Sequence, residues 1–135
     1  MKKLFFIALS ALFSLQTVGA QTVNPLWLRD VQPSPDGQQI LFCYKGDIYK
    51  VPATGGNTVR LTTQDSYECS PVWSKDGKKV AFASDRHGNM DVFVMSAEGG
   101  SAKRLTYNSA EEIPQSFSPD DKDIYFGATI QDPSS

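Results

Sequence analysis

Apolar residues recur along this chain in short alternating runs. Ile40 and Phe42, Val80 and Phe82, and Ile124 and Phe126 each stand two residues apart, the spacing that turns both side chains to one face of an extended strand. Each pair follows one kind of turn, written Ser34-Pro35-Asp36-Gly37, Ser74-Lys75-Asp76-Gly77 and Ser118-Pro119-Asp120-Asp121. The turn aspartates lie 40 and 44 residues apart. The apolar pairs sit at one distance from the turn in every copy, so they are core positions of a single repeated strand. No segment beyond the first twenty residues has helical periodicity.

The register extends well past the turn. A constant offset of 44 matches Asp47 with Asp91, Tyr49 with Phe93, Val51 with Met95, Gly55-Gly56 with Gly99-Gly100, and Arg60-Leu61-Thr62 with Arg104-Leu105-Thr106. The offset grows from 40 to 44 between Phe82 and Asp91, which places a four-residue insertion in that loop alone. The second copy predicts strands over residues 71–74, 78–84, 91–96 and 102–106. In the first copy Pro33 stands where Trp73 and Phe117 stand in the others, and the first strand is expected over residues 26–31. The third copy holds strands over 115–118 and 122–128, then runs into Asp132-Pro133-Ser134-Ser135.

Four antiparallel strands per unit of about 40–45 residues make the blade of a β-propeller. The fold class is therefore all-β, with about two and a half blades of a larger ring that would close with about six. The expected boundaries are a first blade over residues 26–62, a second over 70–106 and a half blade over 113–130. An unfinished blade leaves unpaired backbone groups on its edge, and the expectation is that the chain is the beginning of a longer polypeptide.

Residues 1–20 stand apart from this pattern. Lys2-Lys3, an apolar run over 4–15 and Val18-Gly19-Ala20 form the three parts of a secretory signal. Cleavage is expected after Ala20, leaving a propeller segment over 21–135, exported to the periplasm or beyond, with no membrane span. The whole chain carries a formal charge of −2, and removing Lys2 and Lys3 leaves it more acidic, which argues against a nucleic-acid partner. Cys43 and Cys69 are the only cysteines. An oxidising compartment would permit a disulfide between them, although a cysteine in an apolar strand such as 40–44 is more often buried filling.

Candidate chemistry is sparse. His87 is the only histidine and falls in the inserted loop with no recognisable nucleophile beside it, so it reads as a solvated loop residue. Asp85, Asn89 and Asp91 loosely imitate a calcium loop, but the glycine and distant glutamate of an EF-hand are missing, and Asp91 recurs as Asp47 where the insertion is absent. That recurrence points to a blade-building role, such as bonding turn backbone. Asp36, Asp76 and Asp120 likewise belong to turns. Gly55-Gly56 and Gly99-Gly100 lack the Lys-Ser or Lys-Thr of a phosphate loop and read as turns. Trp73 and Phe117 read as packing between blades, and Arg60 and Arg104 as charges that protect an outer strand from edge pairing. No residue is assigned as catalytic, cofactor-binding or metal-binding, and no cofactor is expected.

The segment 71–86, reading PVWSKDGKKVAFASDR, with Asp91-Val92-Phe93-Val94-Met95 and the closing Arg104-Leu105-Thr106, resembles the TolB-like propeller repeat. Such propellers occur in the Tol protein, in prolyl-oligopeptidase relatives and at the start of tricorn-type serine peptidases. A small α/β domain precedes the propeller in the Tol protein, and only a few residues separate Ala20 from the first strand here. With the opening Asn24-Pro25-Leu26-Trp27-Leu28-Arg29, the resemblance therefore favours the N-terminal propeller of an exported tricorn-type peptidase. It implies peptide or protein substrates reaching the complete propeller and a full-length protein that can form homo-oligomers. The catalytic residues would lie outside this chain. The alternatives are a non-enzymatic periplasmic binding propeller, or a prolyl-oligopeptidase-type hydrolase with a Gly-x-Ser-x-Gly elbow further on.

Overall fold

The computed structural model describes residues 27–129; the expected signal over 1–20 lies outside them. Strands β1 (Arg29–Pro33), β2 (Gln39–Tyr44), β3 (Asp47–Pro52) and β4 (Val59–Arg60) form the first sheet. The second holds β5 (Glu68–Trp73), β6 (Lys79–Ser84), β7 (Asp91–Ser96) and β8 (Lys103–Arg104), and β9 (Glu111–Phe117) pairs with β10 (Ile124–Thr129). Each four-stranded sheet is antiparallel, with its strands paired in chain order. The fold is all-β, two complete propeller blades and half of a third. Among the described residues no helix is long and apolar enough to cross a membrane.

The repeated turn is held by its own side chains. Ser34 Oγ donates to Asp36 Oδ1 at 2.6 Å while the Gln38 and Gln39 amides donate to Asp36 Oδ1 and Ser34 Oγ. Ser74 with Asp76 and Ser118 with Asp120 repeat this arrangement. In all three copies the serine hydroxyl bond leads the causes that hold the aspartate below the ordinary carboxylate range. Gly37 and Gly77 take φ of 71° at the next position, and Asp121 takes φ of 57°, a left-handed conformation that aspartate tolerates better than most residues. The Asp121 carboxylate accepts the amides of Lys75 and Asp76, at 2.6 and 2.8 Å, on the neighbouring blade.

Each inner strand contains a bulge, and its bounds differ from the predicted ones. The first runs over Arg29–Pro33 where 26–31 was expected, residue 26 lying outside the described residues, the second begins at Glu68 rather than 71, and the third at Glu111 rather than 115. The pairing slips opposite Phe42 and Phe82 in the first two blades and between Tyr125 and Phe126 in the third. Asp30 and Ser70 take φ of 51° at the bulge. Pro114 stands at the corresponding place in the third copy, where its ring forbids a positive φ, so that bulge is built differently. Alternation read from sequence loses phase at such a point. Pro33 remains within β1 because β1 is an edge strand, where a missing amide is tolerated.

The core lies between the first two blades. Leu41, Cys43, Ile48 and Leu61 of the first face Val80, Phe82, Phe93, Met95 and Ala97 of the second, with Trp73 and Ala102 packed at the margin. The Phe82 and Phe93 rings stack at 5.8 Å, and Phe42 with Tyr49 repeats that pair in the first blade at 5.5 Å.

Candidate functional site

The surface best placed to meet a partner is the row of inner strands β1, β5 and β9. Each is the first strand of its sheet, with one edge left unpaired within that sheet, and β5 packs beside both β1 and β9. Side chains bridge the row. Asp30 Oδ2 accepts the Ser70 amide at 2.9 Å, and the Trp73 indole donates to the Gln32 carbonyl at 3.2 Å. Between the turns of the first two blades lies a cleft of about 620 Å³ lined by Asp36, Lys50, Trp73, Lys75, Asp76 and Glu98, among others. Lys50 is tied down there, donating to the Ala97 carbonyl at 2.6 Å and lying 3.0 Å from Glu98.

The inserted loop does not assemble the residues that imitate a calcium site. Asp85 Oδ1 accepts the Tyr67 amide at 2.7 Å, Asn89 Nδ2 donates to the carbonyls of Asn108 and Ala110, and Asp91 is fully buried beside Arg104. Among the described residues, no group of three or more His, Cys, Asp and Glu could hold a metal ion. His87 lies exposed in the loop, its ring stacked on Phe93 at 6.0 Å.

The recurring Asp and Arg turn out to serve each other. Arg60 Nη2 donates to Asp47 Oδ1 at 2.7 Å, and that bond leads the causes raising the guanidinium pKa. Arg104 Nη2 lies 2.7 Å from Asp91 Oδ2. Asp47 and Asp91 do not bond turn backbone, and the arginines are not lone edge charges, as the recurrence alone suggests; each pair clamps the short outer strand to its neighbour. The next residues complete the closure. Leu61 and Leu105 amides donate to the Ile48 and Val92 carbonyls, and the Thr62 and Thr106 hydroxyls accept the Ile48 and Val92 amides. Arg-Leu-Thr is therefore the latch of a blade.

Phe117 is buried and Trp73 packs against the core, as their position before the turn predicts. Both cysteines are free thiols. Burial is the largest cause pushing each of them above the ordinary thiol value, Cys43 furthest.

One site was missed by the sequence reading. Glu68, at the start of β5, is fully buried, and its Oε1 accepts Ser84 Oγ at 3.0 Å, Arg86 Nη2 at 3.2 Å and Ser66 Oγ. Arg86 also lies over the Phe93 ring, 4.4 Å from its centroid, and 5.7 Å from that of Phe82. Glu112 occupies the same place in the third blade and is 1% exposed. Both glutamates obey the 44-residue offset, and they escaped notice because their burial depends on the preceding blade. Each sends its amide to that blade's β-hairpin tip, Glu68 to the Gly46 carbonyl and Glu112 to that of Met90.

Comparison with known proteins agrees with this architecture. Residues 26–135 match the family described as the tricorn protease N-terminal beta propeller domain. Tricorn protease homolog 1 of Streptomyces coelicolor is 38% identical over 72 residues, covering 53% of this chain and 7% of that protein. The Tol-Pal system protein TolB of Desulfosudis oleivorans is 37% identical over 59 residues, covering 41% of this chain and 14% of that protein. Among solved structures, a protein of Agrobacterium tumefaciens described as a TolB superposes with a TM-score of 0.67 and 27% identity, over 76% of this chain and 38% of that one. The chain thus spans only a small part of the curated relatives it matches. The match across residues 26–135 shows that the chain belongs to the family of tricorn protease N-terminal beta propeller domains.

Proposed function

We propose that this chain is the leading propeller portion of an exported tricorn-like serine peptidase, and that it governs the access of peptides to catalytic residues carried elsewhere in the polypeptide. The observation that carries this reading is the family match across 26–135, which follows almost directly upon a sequence with the three parts of an export signal. The inner strands give the role a physical basis, since their unpaired edges and the side chains between them form the surface a peptide would traverse. Extended peptides recognise such edges through backbone hydrogen bonds. The test is to express the complete reading frame containing this segment and assay hydrolysis of unfolded polypeptides, together with labelling by a serine-directed fluorophosphonate. Labelling and hydrolysis support the reading, as does recovery of the protein in the periplasmic fraction. A protein that contains only a closed propeller and neither labels nor hydrolyses would overturn it.

The second reading is a periplasmic propeller that binds protein partners without chemistry. It is favoured by the likeness to TolB proteins in sequence and fold. Capture of a defined protein partner by that closed propeller, with no labelling, would establish it in place of the first.

A further inference from the structure

The second and third blades treat one buried carboxylate in opposite ways. Glu68 has a guanidinium and two hydroxyls on Oε1. At the offset of 44, Ser66, Ser84 and Arg86 become Ala110, Ala128 and Ile130, so every one of those donors is an apolar residue in the third copy. Glu112 keeps a single donor among the described residues, Asn108 Nδ2, which bonds Oε1 at 2.8 Å. Its buried Oε2 has none. Oε2 of Glu68 is unpartnered too, so the difference between the blades is the missing positive charge and hydroxyls. A buried carboxylate left without a countercharge is costly.

Glu112 lines a cavity of about 450 Å³ together with Asn108, Ser109, Ala110, Glu111, Ala128 and Thr129. Among the described residues the lining holds two carboxylates and no basic side chain, and Glu111 stands where the second blade has Tyr67. Phe126, on the same strand as Ala128, is the counterpart of the Phe82 ring beneath Arg86. The second blade shows what such surroundings hold, namely a planar guanidinium bonded to the carboxylate and lying over an aromatic ring.

We infer that the Glu112 cavity is a binding site for a guanidinium group, supplied by an arginine side chain of a peptide. The site stands on the geometry of the third blade; the peptide as its source rests on the access role proposed above. The test is ligand-observed NMR titration of the purified protein with N-acetyl-arginine amide, the neutral citrulline analogue and the lysine analogue. Arginine amide is expected to bind in the millimolar range, with citrulline at least tenfold weaker and lysine intermediate. Glu112→Gln should weaken arginine binding about tenfold, the loss of one charge-assisted pair. Ala110→Ser with Ala128→Ser, which returns hydroxyl donors to Glu112, should weaken it several-fold without disturbing the fold. Equal binding of arginine and citrulline, or affinity unchanged in both variants, overturns the inference, as does the absence of arginine binding. Arginine binding by a protein that hydrolyses nothing leaves the site standing and removes the peptidase reading; hydrolysis without arginine binding does the reverse.

Discussion

The second and third blades share one repeat and hold it very differently. Phe82 is fully buried and stacked on Phe93, while its counterpart Phe126 is 43% exposed. Glu68 is neutralised by Arg86, and Glu112 faces a cavity with only an asparagine. The second blade has neighbours on both sides and all four strands; the third is described only through its inner two. A repeat residue therefore has no fixed worth. Its contribution depends on how many surrounding strands complete its environment, as expected where each unit contacts only its neighbours.

The sharpest way to break the comparison is to truncate the same ring twice. Phe82→Ala should destabilise the protein by about 3–5 kcal/mol, as for a core aromatic, and Phe126→Ala by about 1 kcal/mol, since much of its ring is already in solvent. Equal losses in denaturant unfolding would mean that the third blade is as fully packed as the second. The charges give the next largest contrast. Arg86→Met leaves Glu68 buried without its cation and should cost about 3 kcal/mol, whereas Glu112→Gln should leave the melting temperature level or raise it. Calorimetry on both variants decides this.

Smaller effects probe the joints. Asp121→Ala removes two bonds to the amides of Lys75 and Asp76 and leaves a residue that dislikes positive φ, a loss of about 1–2 kcal/mol. If it costs nothing by chemical denaturation, the contact between those turns is incidental. The smallest effect is a response to acid. Asp36, Asp76 and Asp120 are held below their ordinary values by serine hydroxyls. Carboxylates depressed on folding contribute stability that is present above the unfolded value, about pH 4, and is lost as pH falls through the folded value. Replacing the three serines with alanine should flatten that acid limb in melts between about pH 5 and pH 2, and an unchanged limb would assign it to other groups.

Much of the fold was legible because the repeat substitutes for comparison among relatives. Val80 with Phe82 locates a buried strand face by period, but in the first blade the period finds the strand and not its core face, since Leu41 and Cys43 are buried and Ile40 and Phe42 only half-buried; the serine-aspartate turns locate the beginning of each strand. The inner strands were the hardest to place, because a bulge shifts the alternation and the φ of 51° falls on an aspartate in one blade and a serine in the next, so no residue type marks it in both. The Asp47–Arg60 and Asp91–Arg104 pairs were visible as recurrences but not as partners, since cross-strand neighbours separated by thirteen residues depend on register. Glu112 was invisible for a different reason. A glutamate in a polar stretch reads as exposed, and only the packing of one blade on the next buries it.

The β-hairpin tips between the second and third strands of a blade have an effect beyond their own turns. In the first blade the tip is Lys45-Gly46, where a Cβ on Gly46 would come 3.1 Å from the Tyr67 ring, and in the second it is the longer insertion ending at Met90. Both present one carbonyl to the first buried glutamate of the following blade. The tip changes in length while the contact it makes does not, at 2.7 Å to the Glu68 amide and 2.8 Å to that of Glu112. The joint between blades therefore tolerates a four-residue change in its tip while keeping the same amide-to-carbonyl anchor.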